Sequence, residues 1–200
     1  MHVRGRFFPR AFLLVLLQAF LPLCVPPAVT AGGAAYRSTV VFGDLHQPVG
    51  IAADGSGNVY VADAGNNRVR KFDAEGAYLL EWAIEDHDKS AGLFGIAADD
   101  AGNVYVMIAS GQKVQKFDAS GSLVSEWPVA GAPMGIAVDG SGNIYVTDFI
   151  NHRVVKFDAF GNILTEWGSK GSWGGKFNSP CGIAVDDSGN VYVADTNNNR

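Results

Sequence analysis

Short runs of β-branched and aromatic residues alternate with polar connections along most of the chain. The pattern is clearest between residues 133 and 167, where Gly135–Val138, Ile144–Thr147, Arg153–Phe157 and Ile163–Trp167 each have the composition of a β-strand. The connections between them, DGSGN, DFIN and DAFGN, are rich in the residues that hairpin turns favour. The unit is therefore predicted to be a four-stranded antiparallel meander.

The first two runs differ from the last two in their polarity. Successive positions of the first two runs are apolar, whereas Lys156, Thr165 and Glu166 interrupt the last two. A strand that is apolar at successive positions is buried on both faces. We therefore expect the inner strands to be covered on both sides.

The unit recurs along the chain with a nearly constant internal layout. The copies are 45, 40 and 47 residues apart, and all of the variation lies between the closing Trp and the next first-strand Gly. A period of this size that contains four strands is typical of a β-propeller. The prediction is an all-β protein with blades near residues 47–82, 93–127, 132–167 and 179–200. The recurring positions are Gly50, Gly95, Gly135 and Gly182, and eight residues later Asn58, Asn103, Asn143 and Asn190.

The copies resemble NHL repeats in several motifs at fixed offsets. The motifs P-x-G-I-A-V-D, G-N-V-Y-V-x-D, N-x-R-V-x-K-F and a closing Trp recur between Gln47 and Arg200, with one copy departing from the pattern. NHL domains are typically six-bladed, so the resemblance implies that about three and a half blades are present. A closed ring would then need roughly another 90 residues. The chain is accordingly expected to be an N-terminal fragment.

The N-terminus has the features of a secretory signal. Met1–Arg10 carries three arginines and no acid, and the apolar run Ala11–Leu23 is followed by small residues that suggest cleavage before Gly32. We expect residues 1–31 to be a signal peptide and the product to be secreted or periplasmic, without a stable membrane span. The alternatives are an uncleaved anchor and a lipoprotein attached through Cys24, which bulky Leu23 makes a poor match.

Residues 32–46 lead into the repeats. Tyr36–Phe42 resembles the fourth run of a unit and lacks the first three. Ring folds often close when a strand from one terminus completes a blade that the other terminus began. We therefore expect Tyr36–Phe42 to be such a closing outer strand.

Charge and cysteine content narrow the functional classes. The chain has a formal net charge of −5, and removal of the signal leaves twelve basic residues against twenty acidic ones, a charge of −8. No basic cluster is present, which argues against nucleic acid as a partner. Cys181 would be the one cysteine left, so no intrachain disulfide is expected and Cys181 is interpreted as a small buried thiol.

Aspartate, asparagine and arginine recur at identical spacing in three copies. Such a trio in a tight loop can satisfy its own hydrogen bonds and those of the turn. Because an active site usually breaks symmetry, we interpret these residues as structural and assign none of them to catalysis. They are Asp63, Asn66 and Arg68, then Asp148, Asn151 and Arg153, then Asp195, Asn198 and Arg200.

Function is expected where the copies disagree. The second copy has Ile108 and Lys113 in place of the aspartate and arginine, which predicts an apolar rim. The longest connector holds Trp173 between two lysines, where it could bind an acidic or aromatic group or pack on the next blade. The binding candidates are Lys170, Trp173 and Lys176, the loop residues Phe149, Ile150 and His152, and Ile108 with Lys113.

A cation site is a weaker candidate. Glu85, Asp86, His87 and Asp88 gather oxygen donors and an imidazole, although a solvated charged loop is the favoured interpretation. No cofactor is evident, and a complete ring could still hold Ca²⁺ or Zn²⁺.

Two functional classes remain for the whole protein. The favoured one is an exported scaffold that binds a protein, peptide or carbohydrate through loops on one face. The alternative is a propeller lyase or hydrolase with a metal site near the central channel, which would need several inward-facing ligands. Only His46, His87 and His152 follow the signal, which disfavours the enzyme. A ubiquitin-ligase type of NHL protein is disfavoured further, because no zinc-binding cysteine module precedes the repeats.

Overall fold

The computed structural model describes residues 43–84 and 93–200. The predicted signal peptide, the closing strand Tyr36–Phe42 and the candidate cation ligands Glu85, Asp86, His87 and Asp88 lie outside these ranges. The described part contains three four-stranded antiparallel sheets and one two-stranded sheet, in which neighbouring strands follow chain order. No helix in this part is long and apolar enough to cross a membrane.

Each sheet is here called a blade and numbered in chain order. Blade 1 contains β1 (Pro48–Ala53), β2 (Val59–Asp63), β3 (Arg68–Phe72) and β4 (Tyr78–Ala83). Blade 2 contains β5 (Leu93–Ala98), β6 (Val104–Ile108), β7 (Lys113–Phe117) and β8 (Leu123–Pro128). Blade 3 contains β9 (Pro133–Val138), β10 (Ile144–Asp148), β11 (Arg153–Phe157) and β12 (Ile163–Trp167). Blade 4 contains β13 (Pro180–Val185) and β14 (Val191–Asp195), followed by a 3₁₀ turn over Thr196–Asn198 that matches Ala64–Asn66 of blade 1. The predicted four-stranded antiparallel meander is confirmed, and the fold class is a β-propeller.

Adjacent blades meet through their first strands. β1 packs against β5, β5 against β9, and β9 against β13. A Cβ at Gly95 would lie 2.9 Å from Cγ2 of Ile136 in the next blade, and one at Gly135 would clash with the backbone oxygen of Cys181. Glycine at this position is therefore needed for close approach between blades. All five residues of β6 and of β10 are buried, so the second strands of blades 2 and 3 are covered on both faces as predicted. The first strands β1 and β9 are only partly buried.

Aromatic side chains join the outer parts of the blades. The ring of Trp82 lies 6.3 Å from Tyr60 in its own blade and 5.7 Å from Phe117 in the next, measured between centroids. The same contact recurs one blade later, where Trp127 lies 6.5 Å from Tyr105 and 6.4 Å from Phe157. The closing Trp of blades 1 and 2 therefore packs against the blade that follows.

Candidate binding face

The loop that follows the second strand of blades 1, 3 and 4 is built around a buried aspartate. In blade 1, Oδ2 of Asp63 accepts hydrogen bonds from Nδ2 of Asn66 at 2.8 Å and Nε of Arg68 at 2.7 Å, while Oδ1 accepts the His46 amide at 2.6 Å. The same three bonds form around Asp148, with Asn151, Arg153 and the Ala132 amide, and around Asp195, with Asn198, Arg200 and the Asn178 amide. The carboxylate thereby ties the loop to the connector that enters the same blade.

The pKa values of two of these carboxyl groups reflect this environment. Burial alone would raise the pKa of Asp148, but hydrogen bonds from Asn151, the Ala132 amide and Arg153 together hold it below the ordinary value. The pKa of Asp195 is lowered in the same way, against burial, by the Asn178 amide, Asn198 and Arg200. Both carboxyl groups are therefore ionised, and their oxygens accept hydrogen bonds from the protein itself.

Blade 2 replaces this polar arrangement with a hydrophobic one. Ile108 occupies the position of the aspartate and is fully buried within the core cluster shared with blade 1. The predicted apolar rim at Ile108 is therefore wrong: Gly111 and Lys113 stand where the asparagine and arginine donors would be, and an aliphatic side chain fills the core in place of a carboxylate. Lys113 is half-buried, and its ammonium lies 2.9 Å from Oε2 of Glu126.

The loop of blade 3 combines one exposed apolar residue with two that support the backbone. Ile150 is 61% exposed, while Phe149 is half-buried and its amide donates to the Ala132 oxygen at 2.9 Å. His152 has a left-handed backbone with φ of 57°, and its Nδ1 accepts a hydrogen bond from the Ser179 amide at 2.9 Å. His152 therefore holds the start of the next blade.

The connector of residues 168–180, here called the tryptophan loop, has regular backbone pairing. The Phe177 amide donates to Ser169 and the Gly171 amide to Phe177, each at 3.0 Å. Trp173 at its tip is 81% exposed. Of the two alternatives open from the sequence, packing on the next blade is therefore not seen against β13 and β14, the two strands of that blade that the structure describes. Lys170 and Lys176 are also exposed.

Blade 4 holds the tryptophan loop from its other side. Nη1 of Arg200 donates to the Ser172 oxygen at 2.9 Å, and Nη2 donates to the Lys176 oxygen at 2.7 Å. Nδ2 of Asn198 donates to the Gly171 oxygen at 2.8 Å. The loop is therefore fixed between His152 on blade 3 and Arg200 on blade 4, so the structure brings two of the predicted binding segments to one end of the blades.

A second set of aspartates, not singled out from the sequence, organises the opposite end of the blades. Asp54 accepts both the side chain of Asn58 at 2.8 Å and the hydroxyl of Tyr60 at 2.8 Å. Burial, and then the adjacent aspartate, raise the pKa values of Tyr60 and Tyr105 above their ordinary range. The signal was present as a recurring D-x-x-x-N-x-Y. Its other members are Asp99, Asp139 and Asp186 with their Asn and Tyr partners.

Outside these loops, the described residues include a groove between blades but no cluster of metal ligands. A groove of about 430 Å³ lies between blades 2 and 3, and its charged members Arg153 and Glu166 already pair with each other at 2.6 Å. Among residues 43–84 and 93–200, no group of three or more His, Cys, Asp or Glu side chains could hold a metal ion.

Repeated four-stranded sheets joined through their inner strands define a repeat protein of the β-propeller class. The NHL repeat family matches residues 45–72, 132–157 and 177–200. These three stretches are therefore NHL repeats. The match omits blade 2, the blade whose loop lacks the aspartate, asparagine and arginine. A comparison with curated proteins gives no match.

Solved structures similar to this chain are also propeller proteins. A streptogramin B lyase is 21% identical with a TM-score of 0.61, covering 76% of this chain and 49% of its own. An inactive variant of virginiamycin B lyase from Staphylococcus aureus, in complex with quinupristin, is 20% identical with a TM-score of 0.59, covering 74% and 48%. The Kuenenia stuttgartiensis hydrazine synthase is 17% identical with a TM-score of 0.60, covering 78% and 44%. This chain spans about half the length of these proteins, and the likeness establishes the fold alone.

Proposed function

We propose that this protein is an exported scaffold that binds a protein, peptide or glycan through the loops at one end of its blades. The supporting observation is the exposure of Trp173, 81%, on a loop that two blades hold in place. Exposed Trp residues are over-represented among residues that dominate binding energy. A loop ordered before binding also spares the entropic cost of ordering it.

The recurring polar residues at this end of the blades support a division between structural residues and ligand-binding residues. The carboxylate oxygens of Asp63, Asp148 and Asp195 accept hydrogen bonds from amide and guanidinium groups of the protein itself. Ligand contacts therefore fall to the residues that differ between blades, above all Trp173 and Ile150. Both are large apolar side chains more than half exposed.

Glycan and peptide arrays probed with purified protein test the proposal. The double substitution Ile150→Ser with Trp173→Ser should abolish binding to whichever array member the unmodified protein retains. Phe160→Ser is the matched control, because Phe160 is 82% exposed in the turn between β11 and β12, at the opposite end of the blade. Equal loss of binding in the control, or no loss in the double variant, would refute a binding surface on the loops.

Export is a separate part of the proposal. It is supported by the arginine-flanked apolar segment within residues 1–31. Expression with the native N-terminus should give a secreted or periplasmic product whose sequence begins at Gly32. A product that begins at Met1 and stays with the cells would contradict export.

The alternative function is that of a propeller lyase or hydrolase with a metal near the central channel. The likeness to lyases extends to the fold only, so it adds no catalytic residue. Stoichiometric Zn²⁺ or Ca²⁺ in the purified protein, measured by metal analysis, would favour the enzyme over the scaffold.

A further inference from the structure

The tip of the tryptophan loop is a tight turn that brings the backbones of its aromatic and one cationic residue close together. The Lys176 amide donates to the Trp173 oxygen at 3.0 Å, which closes a four-residue turn with Gly174 and Gly175 at its centre. Gly175 has φ of 75°, the left-handed value that a type II turn requires at its third position. The Cα atoms of Trp173 and Lys176 are therefore within about 7 Å of each other.

The carbonyl oxygens of the same turn accept hydrogen bonds from blade 4. Arg200 donates to the oxygens of Ser172 and Lys176, and its Nη2 lies 3.5 Å from the oxygen of Trp173. These groups therefore face blade 4 rather than a ligand. The exposed side chains of the loop are the indole, the two lysines and the hydroxyls of Ser169 and Ser172.

The tryptophan loop is cationic within an acidic chain. Residues 168–180 contain two lysines and no aspartate or glutamate, whereas the chain has a net charge of −5. Within the described residues, neither Lys170 nor Lys176 forms an ion pair. Arg200, in contrast, is paired with Asp195 at 2.8 Å. Among the described residues, two ammonium groups without an ion pair thus share a loop with one exposed indole.

We propose that the tryptophan loop binds an acidic polysaccharide, with the indole of Trp173 against a sugar ring and the ammonium groups of Lys170 and Lys176 on uronate carboxylates. This inference rests on the proposed scaffold function and names its ligand. A pyranose ring presents a face of C–H hydrogens, which are slightly positive and pack on the negative face of an aromatic ring. The carboxylates supply the charge that the unpaired lysines lack.

The shape of the loop favours a polysaccharide over an acidic peptide. Peptides are held by a groove, a pocket or an open strand edge. Here the indole stands on a protruding turn, and the backbone of Gly171 and Phe177 is already paired within the loop. A flat sugar ring needs only the exposed aromatic face, so this surface favours a sugar ring over a peptide.

Three uronate polymers, polygalacturonate, alginate and hyaluronate, provide the probes for affinity electrophoresis or calorimetry with the purified protein. At least one should bind, and Trp173→Ala should weaken that binding about tenfold or more. Lys170→Gln and Lys176→Gln should each weaken it about threefold and reduce its dependence on salt. Phe160→Ala should leave it unchanged, and all variants should unfold at the same temperature as the unmodified protein.

Two matched ligands separate the contributions of charge and ring. Fully methyl-esterified polygalacturonate keeps the sugar rings and loses the carboxylates, whereas polyglutamate keeps carboxylates without sugar rings. Both should bind at least tenfold more weakly than the uronate polymer. Failure of all three polymers to bind, equal binding of polyglutamate, or full affinity in Trp173→Ala would overturn the inference. The scaffold function would survive these results if the Ile150→Ser and Trp173→Ser double variant still lost another ligand on the arrays.

Discussion

At the scale of single residues, the carboxylates of this protein are structural. Asp148 is fully buried and accepts hydrogen bonds from Asn151, Arg153 and the Ala132 amide. A buried charge is tolerated only when such partners surround it. Blade 2 has the opposite arrangement at Ile108. The asparagine and arginine donors are absent there, and an aliphatic side chain replaces the carboxylate. The same position of the fold thus admits either a complete polar cluster or none.

Removal of this carboxylate should be costly. We expect Asp148→Ala to lower the free energy of unfolding by about 2–4 kcal/mol, because Asn151, the Ala132 amide and the Nε of Arg153 lose their acceptor. Urea denaturation followed by circular dichroism measures the change. Ile150→Ala, in the same loop but exposed, should change stability by less than about 0.5 kcal/mol. Similar effects of the two substitutions would contradict the structural role.

The lowered carboxyl pKa values predict acid sensitivity. For Asp54, Asp139, Asp148 and Asp195, burial raises the pKa but several hydrogen bonds together lower it below the ordinary value. The unfolded chain then binds protons more readily, so the stabilisation is complete above the unfolded pKa of about 3.9 and is lost as pH falls through the lower folded value. The unfolding temperature should be level from about pH 7 to 5 and fall steeply below about pH 4. An equal decline across the whole range would contradict this assignment.

At the scale of strands and loops, the first strand of each blade is fitted to its neighbour. The backbone of Cys181 approaches Gly135 so closely that a Cβ cannot be accommodated without movement. Hydroxyl Oγ1 of Thr147 completes the contact by donating to the Cys181 oxygen at 2.6 Å and accepting the Gly135 amide at 2.8 Å. The interface between blades 3 and 4 therefore depends on backbone proximity as well as on apolar packing.

A methyl group at this contact should disturb it. Gly135→Ala is expected to lower the free energy of unfolding by about 1–3 kcal/mol, because the added Cβ overlaps backbone atoms of the next blade. Gly140→Ala is the matched control, since nothing lies within 4 Å of a Cβ at that position. Denaturation of the two variants side by side should give a large loss for the first and almost none for the second. If Gly135→Ala leaves the free energy of unfolding unchanged, the blades are less tightly packed than in this structure.

At the scale of the whole molecule, the hydrophobic core lies between blades rather than within them. One buried cluster joins Tyr105 and Trp127 of blade 2 to Val146 and Phe157 of blade 3. A second cluster joins blades 1 and 2 through Val69, Ile96 and their neighbours. In repeat architectures, stability is the sum of such neighbour interfaces and of the repeats themselves. The blades are therefore expected to unfold together.

Trp127 is the residue that tests this coupling. Trp127→Ala should lower the free energy of unfolding by about 3–5 kcal/mol, because the ring is buried between Tyr105 and Phe157. Trp173→Ala makes the same chemical change at an exposed site and should have almost no effect. Thermal unfolding monitored by near-ultraviolet circular dichroism measures both. Loss of a single blade, seen as a separate transition in Trp127→Ala, would contradict cooperative packing.

Local sequence determined the strands, the turns and the repeat. Alternating apolar runs bounded by Asp, Gly and Asn impose hairpins through interactions a few residues long, so the four strands of blade 3 could be predicted with nearly their final limits. The fixed offsets of Gly, Tyr and Trp likewise reflect a contact that is repeated between successive blades. These features can be predicted without the tertiary structure because the same pattern recurs in every copy.

Only the tertiary structure decided which of the irregular residues face solvent. Ile108 and Trp173 both interrupt the repeat, yet one is buried between blades and the other protrudes on a loop. The difference arises from partners distant in sequence: Arg200 and Asn198 bond to residues of the tryptophan loop 24 to 28 positions away. Exposure and support of this kind depend on how neighbouring blades pack, and no local pattern encodes that packing.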